Sequence, residues 1–66
     1  MTGQQIKEAL MDKRPVKYQE IEYRCISAII YRNVGGKVQV SVELLDRNGL
    51  FVVVALADKI QEVSHD

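Results

Sequence analysis

The sequence has very few of the residues that small proteins use for covalent or metal-based cross-links. It contains one cysteine, Cys25, and one histidine, His65, among 66 residues. A disulfide within the chain is therefore impossible, and no group of residues has the spacing of metal ligands. We predict no catalytic residues, no metal site and no cofactor. A domain this short must then depend on a dense core, a partner chain or both.

An excess of charge of one sign is also lacking, because nine Lys and Arg residues balance nine Asp and Glu residues. Nucleic-acid-binding domains generally carry a basic excess, whereas a net charge near zero favours self-association. No apolar run approaches the ~18 residues of a membrane span. The first ten residues lack the basic start and the apolar stretch of a secretory signal. With a single unpaired cysteine, these features predict a cytoplasmic protein with no membrane partner.

The chain is predicted to form a single domain over residues 1–66, with a helix at about 3–13, a β-sheet at about 16–63 and a loose tail at 64–66. At the start of the helix, Thr2 and Gln5 have the spacing of a capping box. Apolar residues then recur at helical spacing, which predicts one buried face, and Pro15 stops the helix. The residues on that face are Ile6, Ala9 and Leu10.

The rest of the chain has the composition and alternation of β-strands. Gly35-Gly36 and Asn48-Gly49 are both typical of tight hairpin turns. The predicted elements are strands at Val16–Tyr18, Glu22–Arg32, Lys37–Leu45, Leu50–Leu56 and Gln61–Val63, with one 3₁₀ turn at Ala57–Ile60. The predicted fold class is therefore mainly β with one N-terminal helix (α+β), either a small barrel or a strongly curved five-stranded antiparallel sheet.

Two-residue turns at both hairpins predict the register of the three long strands. Ile29 then lies opposite Val42, and Leu44 lies opposite both Ser27 and Val53. Directly opposed residues point to the same face, so one inner face is nearly all apolar. Its members are Tyr23, Cys25, Ile29, Tyr31, Val38, Val40, Val42, Leu44, Phe51, Val53 and Ala55.

The predicted outer face carries a second apolar patch, where a sheet with one solvated face would have polar residues. We expect the helix to cover part of this patch with Ile6, Leu10 and Met11. Soluble monomers rarely expose large contiguous apolar patches, so the remainder predicts a protein partner, which includes a second copy of this chain. The candidate interface residues are Ile26, Ala28, Ile30, Leu45, Val52 and Val54, and Leu56 lies beside them.

A local basic cluster provides the alternative function, a small nucleic-acid-binding barrel. Cations would follow a phosphate backbone while a tyrosine stacks on bases. Helix-end complementation and a solvated linker explain the same cluster without any ligand. We expect Tyr18 to be the most exposed tyrosine, with Tyr23 and Tyr31 pointing inward. The candidate contacts are Lys13, Arg14, Lys17, Tyr18, Arg24 and Arg32.

Other reactive side chains have simpler structural explanations. Cys25 lacks an activating partner and is predicted to be a buried, inert core residue. Glu20 and Glu22 are predicted to lie at a solvated edge or turn, and Asp46 and Asp58 to make turn hydrogen bonds. A chain of this length is expected to lack room for the ~300–1,000 Å³ pocket usual for ligands, unless two protomers share one. We therefore predict neither an enzyme nor a small-molecule substrate.

The order of the elements resembles that of SH3-like and Sm-like small barrels, and residues Ala57–Val63 are similar to the 3₁₀-then-strand ending of an SH3-like barrel. The chain has no tryptophan and lacks the acidic loops with which signalling SH3 domains bind proline-rich peptides. It also lacks the glycine and aspartate signature of Sm rings, so no binding residue is transferred from either family. The segment Tyr18–Tyr23, continued by Ile26–Ile30, is similar to short proteins of bacterial mobile elements, which implies no activity. The sequence predicts a non-enzymatic interaction or assembly module.

Overall fold

The structure is a computed structural model that describes residues 1–63. Helix α1 spans Gly3–Asp12. It is followed by strands β1 (Val16–Tyr18), β2 (Ile21–Tyr23), β3 (Cys25–Val34), β4 (Lys37–Leu45) and β5 (Val52–Leu56), a 3₁₀ turn (Ala57–Lys59) and strand β6 (Gln61–Glu62). The protein is therefore mainly β with one helix, as predicted. The tail at 64–66, and His65 with it, lies outside the described residues.

The capping box predicted at the start of α1 is present. The Gln5 N–H donates to Thr2 Oγ1 at 3.2 Å, and the Thr2 N–H donates to Gln5 Oε1 at 2.8 Å. These bonds satisfy two of the N–H groups that a helix start leaves free. At the other end Lys13 adopts a left-handed conformation with φ 54° and donates its N–H to Ala9 O. The helix therefore ends at Asp12, before Pro15 is reached.

The strands form two three-stranded antiparallel sheets, in the orders β2-β1-β6 and β3-β4-β5. The prediction of one long strand over Glu22–Arg32 was wrong, because the chain turns at Arg24 and passes from the first sheet to the second. The Arg24 N–H donates to Leu45 O at 2.9 Å, which anchors this corner to β4. The six described strands do not close into a barrel, so the predicted single five-stranded sheet is replaced by two smaller ones.

The register predicted for the second sheet is confirmed over most of its length. Ile29 lies opposite Val42, and Leu44 lies opposite Val53. Gly35 and Gly36 form the first turn with φ 59° and 83°, values that favour glycine. The second connection has the predicted register but a longer loop, because Asp46 Oδ1 accepts from the N–H groups of Leu50 and Phe51 and ends the ladder early.

A β-bulge at Ser27 changes the register that was predicted for the residues of β3 preceding it. Ile26 pairs with Leu44 while Ala28 pairs with Glu43, so Ser27 is the extra residue, and its predicted pairing with Leu44 was wrong. Because side chains alternate along a strand, one inserted residue moves all preceding residues to the opposite face. Ile26 thus lies on the inner face.

One hydrophobic core joins the helix and both sheets. It is formed by Ile6, Ala9, Val16, Tyr23, Ile26, Val42, Leu44, Ala55 and Ile60. Helix α1 packs against β3 on the inner face. The expectation that the helix covers part of the outer patch was therefore wrong. Burying its apolar stripe beside Val42 and Leu44 removes more apolar surface from water than partial cover of an open face would.

The β3–β4 hairpin extends beyond this core. Tyr31 and Val38 have the predicted inward orientation, but they are 59% and 70% exposed. Phe51 was also predicted on the inner face, and it lies in the loop before β5 with its side chain exposed. An inner-face position is buried only where something packs on it, and the helix is too short to reach the hairpin tip.

Candidate protein-interaction surface

We define the outer face as the side of the β3-β4-β5 sheet opposite to α1. Its cross-strand rows pair Ile30 with Ser41 and Leu56, and Ala28 with Glu43 and Val54; Leu45 lies between Cys25 and Val52. Ala28, Ile30 and Leu45 are half-buried by their neighbours. The edge strand β5 differs, because Val52, Val54 and Leu56 are 52%, 53% and 38% exposed. Exposed apolar surface on this face is therefore concentrated on one strand.

The outer face holds five of the six residues predicted for the interface. Ile26 is the exception, because it is 1% exposed and belongs to the core. The bulge that moves it is held by Ser27, whose Oγ lies 2.9 Å from Glu43 Oε1 and 3.2 Å from the Glu43 carbonyl oxygen. A serine amid apolar residues was the available sequence signal for this bulge, since its hydroxyl can replace a ladder hydrogen bond.

Cys25 lies on the outer face as well, opposite Leu45. The predicted inner-face position was wrong for the same reason as for Ile26, and the thiol is half-buried rather than buried. Within residues 1–63, no group of three or more His, Cys, Asp or Glu side chains could hold a metal ion. Its row across the sheet continues with Leu45 and Val52, so its neighbours in this row are apolar.

No described segment covers the outer face. Helix α1 and the β2-β1-β6 sheet both contribute to the single core on the inner side, through residues such as Ile6, Val16 and Ile60. Strand β5 has β4 as its only neighbour, so its second edge is open among the described residues. The outer face and this open edge meet along Val52–Leu56, a segment without charge or proline.

The inner side of the protruding hairpin forms one wall of an open groove of about 640 Å³. Ile29, Tyr31, Val38 and Val40 line this wall, and the opposite wall comes from the start of α1 and from the 3₁₀ turn. The expectation that so short a chain lacks room for such a cavity was wrong, because the hairpin extends past the core. Among residues 1–63, Asp58 is the one carboxylate that lines the groove, whereas general acid–base chemistry commonly uses a pair.

The six residues predicted to contact nucleic acid are distributed over several elements. Arg14 pairs with Asp12 at 2.7 Å, and Lys17 lies 3.5 Å from Glu20. Arg24 occupies the corner between the sheets, beside the loop that contains Gly49, and Arg32 lies near the hairpin tip. Lys13 caps the helix. Carboxylates thus compensate Arg14 and Lys17, two of the five cations among these six residues.

One of the tyrosine predictions was wrong, and the correction follows from the packing. Tyr18, expected to be the most exposed, is half-buried against the core, whereas Tyr31 is exposed. Tyr23 is buried as predicted. Glu20 lies in the β1–β2 turn, which is one of the two predicted environments, and Asp46 makes the predicted turn hydrogen bonds.

Over residues 1–63, none of the helices has the length and apolar character needed to cross a membrane. No protein-family model, curated protein or solved structure matches this chain.

Proposed function

We propose that this domain is a non-enzymatic protein-interaction module that binds a protein strand along β5 and the adjoining outer face. One observation carries the proposal: β5, which is an edge strand among the described residues, also has the most exposed apolar side chains on the outer face. An extended partner added to such an edge gains backbone hydrogen bonds, and alternate side chains gain apolar contacts. The predicted SH3-like barrel relationship and cytoplasmic location belong to this proposal, and the order of the elements supports the former.

Apolar surface at an open edge is normally avoided, which favours a binding role here. Natural proteins protect edges with charges, prolines, bulges or a covering element, because an open edge pairs with other chains. Strand β5 reads Val-Val-Val-Ala-Leu and has none of these protections. Fully burying a valine or leucine side chain contributes about 1.5–3 kcal/mol, so a partner strand would recover part of that free energy at Val52, Val54 and Leu56.

A selection of random peptides on the immobilised domain tests the proposal. A lysine at an edge position blocks strand addition, so Val54→Lys should abolish the binding of selected peptides, and any self-association. Val34→Lys is the matched control, because Val34 is a valine of the same sheet with the same 53% exposure but lies at the hairpin tip. If neither peptide binding nor self-association depends on Val54, the proposed function is wrong.

The nucleic-acid alternative makes a different prediction and is tested on a different variant. Binding of a single-stranded oligonucleotide should weaken steeply with salt and be lost when Lys13, Arg14 and Lys17 are replaced by alanine. Arg14 and Lys17 already have carboxylate partners. We therefore expect that the three alanine replacements do not reduce oligonucleotide binding.

A further inference from the structure

The four sheet edges differ in how they are protected. Strand β3 carries the bulge at Ser27 and the polar pair Arg32 and Asn33, while β2 and β6 are only three and two residues long and each contains a glutamate. Short strands, bulges and charges are the devices that prevent edge pairing. Strand β5 is the one edge of the described sheets without such a device.

The backbone N–H and C=O groups of β5 point alternately toward β4 and toward the open edge. Two hydrogen bonds show which residues point in which direction. The Asp46 N–H donates to Phe51 O at 3.0 Å, while Leu45 O accepts from Arg24 on the other side of β4. In an antiparallel ladder the residues that exchange hydrogen bonds alternate with those that do not. Phe51, Val53 and Ala55 therefore direct their backbone groups at β4. The backbone groups of Val52, Val54 and Leu56 point out of the open edge.

We propose that the partner at this edge is a second copy of the chain, whose β5 pairs antiparallel with the first about a two-fold axis at Val54. This inference rests on the proposed function and names its partner. Val54 would lie opposite Val54 of the second copy, and Val52 opposite Leu56. All three pairs are then of the hydrogen-bonded kind, which provides about six backbone hydrogen bonds and joins the two sheets into one.

The centre at Val54 follows from the alternation. A two-fold axis at Val53 or Ala55 would pass through a non-hydrogen-bonded pair and would leave Leu56 or Val52 without a hydrogen-bonded partner inside β5. An axis at Val52 or Leu56 would place half of the pairing beyond the end of the strand. Only Val54 brings every outward-directed residue of Val52–Leu56 into a hydrogen-bonded pair, so the segment is complementary to itself.

Charge and side-chain placement agree with a second copy as the occupant. The strand carries no charge that would repel its equivalent, and the formal net charge of the chain is zero. Opposed residues point to the same face, so the exposed valines and leucines of both copies would contact one another across the axis. A stable interface usually buries about 800 Å² per partner, about a sixth of the 4867 Å² surface. One short strand pair covers less, so we expect a concentration-dependent dimer.

Cysteine cross-linking tests the partner and the register together, in a Cys25→Ser background that removes the native thiol. Val54→Cys places two thiols on the axis, where opposed Cα atoms are about 5.5 Å apart, within the range of a disulfide. Val52→Cys alone places the two thiols four residues apart along the pair, about 13 Å, which a disulfide cannot span. Mixing the Val52→Cys and Leu56→Cys variants would again place two thiols opposite each other, one from each variant.

We expect a disulfide-linked dimer from Val54→Cys and from the mixture, and only background from Val52→Cys alone and from the hairpin control Val34→Cys. Equal cross-linking of Val52→Cys and Val54→Cys would overturn the proposed register. No cross-linking above the Val34→Cys control, together with a monomeric mass by light scattering, would overturn the second copy as partner. In that last case Val54-dependent peptide binding would leave the proposed function standing, and its absence would refute both.

Discussion

Shortening the side chain of Ile26 by one methylene tests whether the bulge at Ser27 places this residue in the core. Simple alternation places Ile26 and Ile30 on the same outer face, whereas the bulge at Ser27 places Ile26 in the core and leaves Ile30 half-buried outside. Ile→Val is the same chemical change at both sites. The difference between the two variants therefore measures the difference in their surroundings.

The expected loss of stability follows from the burial of Ile26. Ile26 is 1% exposed, and removing one methylene from a packed core destabilises a protein by about 0.5–1.5 kcal/mol. For a domain of this size 1 kcal/mol shifts Tm by about 4–8 °C, so Ile26→Val should lower Tm by roughly 2–12 °C. Ile30→Val should cost less. Ile26→Ala, at about 2–5 kcal/mol, would remove much of the free energy of unfolding of a marginal domain.

Urea unfolding followed by far-ultraviolet circular dichroism is a suitable assay, because the chain has no tryptophan. Dimerisation would make the stability of the folded state increase with protein concentration, so each variant is measured over a dilution series and compared at the lowest concentration. Equal losses for Ile26→Val and Ile30→Val, or a larger loss for Ile30→Val, would refute the bulged register.

Three further predictions concern the caps and turns. Replacing Thr2 with alanine removes the capping box and should lower the free energy of unfolding by about 0.5–2 kcal/mol, while Thr2→Ser should be nearly neutral in the same urea titration. Glu20 has a φ of 65° in the β1–β2 turn, a conformation that costs a non-glycine residue about 1–2 kcal/mol. Glu20→Gly should therefore raise Tm despite loss of the Lys17 ion pair, and an unchanged or lower Tm would contradict that strain. Asp46→Ala removes the acceptor of two loop N–H groups and should speed amide hydrogen exchange before β5, whereas Asp46→Asn retains an oxygen acceptor and should show less of this effect.

The elements could be predicted from local sequence because the relevant interactions are local. The capping box depends on residues three apart, and the hairpin at Gly35-Gly36 depends on two glycines that accept positive φ. A short turn then aligns its flanking strands, so most of the β3–β4 and β4–β5 register followed without tertiary information. The outer apolar patch was predicted in the same way, and five of its six proposed residues lie on that face.

Tertiary structure decided which faces of the β3-β4-β5 sheet are covered. The side of the sheet against which α1 packs depends on the path of the chain through Arg24 and on the bulge at Ser27, and neither leaves a periodic signal in the sequence. The same packing decides that Tyr31 is exposed while Tyr18 is half-buried, because burial requires an element long enough to reach the residue. Alternation along the chain determined that β5 has two apolar sides. Only the assembly of the two sheets showed that no described segment covers one of those sides, which lies beside an open edge.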